Sequence, residues 1–274
     1  MDEEREMTIP QWNTSFIPLL QHEAANNTGR KGLNLGLPSL TQKLEGFEKG
    51  ELVVITAPPG QGKTQLARTI AINFINQGLN VAYCTYELTL GQLANLFKIS
   101  GLEELENKYL LLAPKEHLEK DILFIEKLLE ANKDNLIDCI VIDDFHALEE
   151  KYANEKENIL QKMNAMAGKL KELAQKYNCV IITMVQQRKD AIRMKDNSLG
   201  DIAYSGRVAQ VADTVLAIRA NGENQAVIEI IKSRWAGSKS KIKVASKDKK
   251  FIELELHEYS PTEVVNSLYG NPSF

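Results

Sequence analysis

The chain has 274 residues, 43% of them hydrophobic, with 33 Lys and Arg against 37 Asp and Glu for a formal net charge of -4. That is enough to bury the core of one α/β domain with appendages. The mild acidity means that a polyanionic partner must meet a local basic patch, because no global field draws it in. No apolar run approaches the ~18 residues that a membrane span needs, and the acidic opening MDEEREMTIP lacks the apolar core of a secretory leader. Cys84, Cys139 and Cys179 each fall in a strand-like run and read as reduced core thiols of a cytoplasmic protein. With four scattered histidines and no paired cysteines, a structural zinc site has no support.

In chain order, short β-rich apolar runs occur at Leu52–Thr56, Asn80–Tyr86, Ile137–Asp143, Cys179–Val185, Thr214–Arg219 and Ala226–Ser233. Most are apolar throughout, which suits strands covered on both faces, as in a parallel sheet. Helical stripes fill the gaps: Leu66, Ile70 and Phe74; then Leu118, Ile122, Ile125 and Leu129; then Ile159, Met163, Met166, Leu170 and Leu173. The two methionines read as core filler. This alternation predicts a doubly wound α/β fold with ligand chemistry at the carboxyl ends of the strands. Ser240–Ala245 and Phe251–Leu256, separated by SKDKK, predict a closing β-hairpin.

The strongest local signal is LVVITAPPGQGKTQLA. A β-rich run ends at Thr56, a loop follows through Ala57, Pro58, Pro59, Gly60, Gln61 and Gly62, and Lys63, Thr64 and Gln65 open an amphipathic helix. This is a phosphate-binding loop in the required strand–loop–helix setting, with Ala57 in place of the usual first glycine. Gly60 and Gly62 let backbone N–H groups turn inward, and the helix N-terminus adds its partial positive charge. Lys63 is placed to reach the β and γ phosphates of ATP, and the Thr64 hydroxyl to ligate Mg²⁺.

Two further strand ends carry carboxylates. IDCIVIDDF ends in Asp143, which suits a Walker B role at the Mg²⁺ water shell. Asp144 beside it is either a catalytic base or a solvated loop residue. NVAYCTYELT ends in Glu87 before a helix-like segment. Glu87 is either a carboxylate favoured by the helix dipole or a base that polarises the attacking water.

Taken together, these motifs resemble the motor domain of DnaB-type replicative helicases, a hexameric branch of the RecA-like ATPases. The resemblance runs from about Gly32 to Leu256, within a motor domain drawn at 32–258 between an arm at 1–31 and a tail at 259–274. It implies a RecA-like core that hydrolyses ATP with Mg²⁺ in a ring and moves on single-stranded DNA, with a loader or primase as further partner. It favours Glu87 over Asp144 as base, places Gln186 of VIITMVQQ at the γ-phosphate sensor, and matches IIKSRWAG to the family's Lys-x-Arg element. A RecA-like ATPase of another class, such as a recombination or helicase-loading factor or a KaiC-like regulator, is the alternative.

Departures from the family pattern are specific. Only about thirty residues precede the motor where the family carries a primase-docking domain, and SFIPLLQHEA among them predicts a short amphipathic helix. That helix would dock either on the next subunit or on its own domain. Ala203 and Tyr204 replace the charged pair usual in the family, although Ser205 and Gly206 still offer backbone N–H groups to phosphate. Upstream, Arg188, Lys189, Arg193 and Lys195 form a polar loop that is either solvated or a nucleic-acid contact. No arginine stands in the nucleotide motifs to neutralise a transferring γ-phosphate. Lys232 and Arg234, two apart on an extended strand end, point to one side. They are either an edge charge or a pair that enters a neighbour's site in trans.

Overall fold

The computed structural model describes residues 32–102, 110–115, 118–119, 121–148, 159–187, 206–235 and 240–254. The helices are α1 (Pro38–Leu44), α2 (Lys63–Asn76), α3 (Leu90–Ile99), α4 (Ile122–Ala131), α5 (Ile159–Lys176) and α6 (Gly206–Val211). The strands are β1 (Leu52–Ala57), β2 (Val81–Thr85), β3 (Leu110–Ala113), β4 (Cys139–Asp143), β5 (Val180–Gln186), β6 (Thr214–Ala220), β7 (Gln225–Ser233), β8 (Lys241–Lys247) and β9 (Lys250–Glu253). They form one sheet in the order β3-β2-β4-β5-β1-β6-β7-β8-β9. The pairs from β3 to β6 are parallel, and those from β6 to β9 are antiparallel.

The apolar strands expected from the sequence are apolar because both faces of the parallel part are covered. Leu40, Leu66, Ile70, Phe74, Leu93 and Phe97 from α1, α2 and α3 pack on one face. Ile122, Ile125, Met163, Leu170 and Val208 from α4, α5 and α6 pack on the other. Met163 and Met166 are buried core residues, and all three cysteines are buried and free. Local chemistry sets the helix ends. Thr89 and Gln92 form a reciprocal capping box at α3, and Asp121 accepts from the Leu123 N–H at α4, so that helix starts only after Leu118. Strand β3 is an addition to the sequence expectation; only Ala113 of its four residues is buried at the sheet edge, and the run is too short to stand out. The expected hairpin is β8–β9, closed by Asp248 and Lys249, both with positive φ, as a two-residue turn of the primed type requires.

No helix among the described residues is long and apolar enough to cross a membrane. The SFIPLLQHEA segment, the loop carrying Arg188, Lys189, Arg193, Lys195 and Ser205, and the tail lie outside the described residues.

The two ends of the described domain are fastened together. Glu253 on β9 accepts from the Ser39 and Leu40 N–H groups at 2.9 and 3.1 Å, where α1 has unsatisfied donors. Glu253→Ala should therefore lower unfolding free energy by about 1–2 kcal/mol, read from urea melts. An unchanged midpoint would mean that the clasp contributes nothing.

Candidate nucleotide site

Four neighbouring strands, β2, β4, β5 and β1, end side by side, and register sets which residues meet there. Thr85 lies opposite Asp143, and Ala57 opposite Gln186. The Tyr86 N–H donates to the Asp143 carbonyl at 2.7 Å, and the Gln187 N–H to the Ala57 carbonyl at 3.1 Å. Glu87 follows β2 in a turn held by Thr85, whose hydroxyl accepts from the Glu87 and Leu88 N–H groups, both at 3.3 Å. Pro59, Gly60, Gly62, Lys63, Thr64, Gln65, Arg68, Glu87, Asp143, Asp144 and Gln186 line one cavity of about 420 Å³ at these strand ends. The sequence-derived nucleotide residues thus converge, although their numbers span more than 120 positions.

The loop after β1 turns at its two glycines. Gly60 and Gly62 have φ of 74° and 100°, a region closed to most side chains. At Gly62 a Cβ would also lie 2.8 Å from the Phe251 ring. Lys63 folds back so that Nζ donates to the Ala57 carbonyl at 3.3 Å. The Thr64 hydroxyl meets Asp143 Oδ1 at 3.4 Å.

Asp143 is 2% exposed, and its Oδ2 has no hydrogen-bond partner. Burial pushes its carboxyl up to about 7, Glu87 and Asp144 push the same way, and the Thr64 bond and Lys63 oppose them. Burial lowers the Lys63 pKa, while Asp144, Asp143 and Glu87 hold it up. An orphaned buried carboxylate oxygen next to a hydroxyl fits a hard divalent cation, so Thr64 and Asp143 suit Mg²⁺. Asp144 is buried and lines the cavity, which removes its reading as a solvated loop residue.

Sequence reasoning missed the support beneath the loop. Gln65 Nε2 donates to Ser246 Oγ at 2.8 Å, the Thr69 hydroxyl accepts from the Phe251 N–H at 3.0 Å, and Arg68 bonds Ser100 Oγ and the Lys249 carbonyl. Gln61 Oε1 accepts from the Ala220 N–H at 2.7 Å. The available signal was Arg68 itself, the one charge inside the mostly apolar LARTIAINF.

Lys232 and Arg234 sit elsewhere. Ser233 lies opposite Thr214, which lies opposite Val53, so the pair is level with the start of β1 while the phosphate loop follows its end. The separation along β1 is roughly 16 Å. Both side chains lie on one side, toward the end of α6, but their engagement differs. Lys232 Nζ donates to the carbonyls of Ala209, Gln210 and Ala212 at 3.0, 2.6 and 2.6 Å, which uses all three ammonium protons inside its own chain. Arg234 is 48% exposed; its Nε pairs with Asp213 Oδ1 at 3.3 Å.

This sheet, with a P-loop sequence after β1, an acid in the turn after β2 and another at the end of β4, defines a RecA-like P-loop ATPase core. Residues 32–107 and 99–252 match the model of the DnaB-like helicase C terminal domain, and the chain belongs to that family. A probable replicative DNA helicase of Trieres chinensis is 25% identical over 236 residues, covering 73% of this chain and 51% of that protein. The replicative DNA helicase DnaB of Mycoplasma pneumoniae is 27% identical over 241 residues, 72% of this chain and 49% of that protein. The DNA repair and recombination protein RadB of Methanosphaera stadtmanae is 30% identical over 141 residues, 50% of this chain and 60% of that protein. The chain thus spans about half the length of the replicative helicases it matches. Among solved structures, a DnaB-like replicative helicase superposes with a TM-score of 0.71 at 17% identity, covering 91% of this chain and 68% of that one. The RadB recombinase superposes at 0.58 with 20% identity, covering 81% and 100%.

Two outcomes follow from the site's charge. Lys63→Ala should weaken triphosphate binding by roughly 1.5–3 kcal/mol, ten- to hundredfold in Kd by titration calorimetry. The second concerns the protein free of nucleotide and divalent ion. Its folded state holds the Asp143 proton up to about pH 7, against 3.8 for the ordinary carboxyl. Folded protein therefore binds more protons than unfolded protein between those values, so this group makes stability fall as pH rises through the window. Asp143→Asn should flatten that slope and stabilise the protein above pH 7 by about 1–3 kcal/mol. Parallel pH–stability curves for the two proteins would refute this.

Proposed function

We propose that the chain is the motor domain of a ring-forming ATPase that hydrolyses ATP and translocates on single-stranded DNA, unwinding duplex as a replicative helicase does. The observation that carries the reading is the single cavity shared by Lys63, Thr64, Glu87, Asp143, Asp144 and Gln186. Inward N–H groups of the loop and Lys63 bind the β and γ phosphates. Thr64 and Asp143 hold Mg²⁺, which when bound offsets the negative charge of the phosphates. Glu87 accepts a proton from the water that attacks the γ-phosphorus while the bond to the bridging oxygen breaks. Asp144 keeps Asp143 company as a second acid, and Gln186 bonds the γ-phosphate and registers its loss.

Arg234 completes the site of the neighbouring subunit. The roughly 16 Å of β1 between it and its own phosphate loop supports a role in trans over one in cis. Lys232, which was expected to reach the neighbour's phosphate with it, is better used as a brace, because its ammonium is saturated by the α6 carbonyls. A hexameric ring, a channel in which Arg188, Lys189, Arg193, Lys195, Ser205 and Gly206 meet single-stranded DNA, and a loader or primase partner belong to the same reading. The RadB match favours one alternative, a recombination-class ATPase that binds DNA without unwinding it.

Turnover should rise with single-stranded DNA, light scattering should give the mass of a closed ring, and a forked duplex should be unwound. Open filaments with no unwinding would select the alternative. Glu87→Gln should bind ATP and lose turnover; normal turnover there with a dead Asp144→Asn would reassign the base. Arg234→Ala should lose about 10³-fold in kcat and regain activity when mixed with Lys63→Ala subunits, because one interface then joins an intact loop to an intact arginine. A co-assembled mixture that stays inactive would remove the trans role.

A further inference from the structure

Behind Arg234 lies a built polar site that the hydrolytic machinery does not use. Asp213, the residue before β6, is 2% exposed. Its Oδ2 accepts from Lys171 Nζ at 2.7 Å and from the Leu52 N–H at 2.8 Å, and Oδ1 faces Arg234 Nε at 3.3 Å. Its own backbone bonds both neighbours: the Asp213 N–H donates to the Leu52 carbonyl at 2.8 Å, and its carbonyl accepts from the Arg234 N–H at 3.1 Å. Lys171 also donates to the Gly50 carbonyl at 2.8 Å.

A buried carboxylate needs a compensating charge and hydrogen bonds. Lys171 and the Leu52 N–H already supply both, so charge balance at Asp213 does not call for a second cation. Arg234 joins it through Nε, the inner edge of the guanidinium. The other recorded contact of that group is a long one, from Nη2 to the Val211 carbonyl at 3.4 Å. Its outer edge is therefore left largely to whatever approaches from solvent, beside Trp235, which is 59% exposed. A guanidinium fixed by its inner edge presents paired outer N–H groups in the geometry that phosphate oxygens match, with little side-chain entropy left to lose on contact.

We propose that Asp213, locked by Lys171 and the start of β1, is the positioning residue for Arg234 and aims its guanidinium at the γ-phosphate bound by the adjacent subunit. The proposal rests on the trans role of Arg234. The anchor is rigid: β1 carries Leu52 at one end and leads into the phosphate loop at the other, so each subunit's arginine is set by the strand that carries its own nucleotide.

Asp213→Asn keeps the shape and an acceptor for the Leu52 N–H but removes the charge that orients Nε. It should lower kcat by about 10- to 100-fold, as misplacement of a transition-state group does, with KM for ATP within about twofold. In an Arg234→Ala background the same change should cost nothing further. Mixed with Lys63→Ala subunits, Asp213→Asn should regain activity, because its intact phosphate loop then meets a correctly held arginine. The double variant Asp213→Asn with Lys171→Met removes the buried charge pair together and should behave alike if the single variant melts early. Loss of kcat that adds to that of Arg234→Ala overturns the proposal. So does a defect that persists in the mixture while Arg234→Ala with Lys63→Ala is rescued, which leaves the trans arginine standing. Failure of that control pair, with co-assembly confirmed, overturns the trans arginine and this proposal with it.

Discussion

Strands buried on both faces have room for charged groups only at their ends, and this constraint organises the parallel part of the sheet. From β2 through β4 and β5 to β1 the interior positions are mostly apolar, because α1, α2 and α3 cover one face and α4, α5 and α6 the other; a mid-strand exception, Thr183, satisfies its hydroxyl on the Ile142 carbonyl. Glu87, Asp143, Asp144 and Lys63 therefore collect where the chain leaves the sheet. Parallel pairing puts four such exits on one edge, and register rather than proximity in sequence decides that Asp143 comes level with Thr85 and Gln186 with Ala57. Chemistry and packing are thus one solution to one problem.

Gathering acids at that edge has an electrostatic consequence. Glu87, Asp143 and Asp144 share one cavity with Lys63, and burial acts against the charges of Asp143 and Lys63. Asp143 is the member most affected, its carboxyl raised to about 7 and one of its oxygens unbonded. The hairpin β8–β9 holds α2 from behind through Gln65, Arg68 and Thr69, three positions on one side of the helix. Preorganised donors of this kind need no rearrangement when charge develops.

The phosphate loop, the strand-end acids, the hairpin and the doubly wound class were legible because each is written in a few consecutive residues or in a short period. The supports were not, because they are contacts between distant segments. Arg68 and Lys249 are far apart in the chain, and no period announces that they meet. The short strand β3 gives too few residues for alternation to register. Lys232 shows the limit most clearly. Spacing placed it correctly on the same side as Arg234, yet spacing cannot reveal that the open carbonyls of α6 end beneath its ammonium. A lysine at the end of an apolar strand reads as charge seeking a partner, and the nearest partner belongs to its own chain.

Antiparallel β7 gives the last step. Had the strand beside β6 run parallel to it, Arg234 would have emerged at the same sheet edge as the phosphate loop and served its own nucleotide. Because β7 reverses direction, the arginine emerges at the opposite edge, level with Leu52. One strand then connects an arginine at its first residue, through Asp213, to a phosphate loop after its last. Copies stacked so that this edge of one faces the nucleotide edge of the next would place each site between two chains. Such a head-to-tail contact is heterologous, and heterologous contacts close into rings or run on as helical filaments according to the rotation between neighbours. The same strand reversal is therefore compatible with both outcomes. Closure or filament would then be decided by that rotation and by the surfaces that set it, not by the residues at the strand ends.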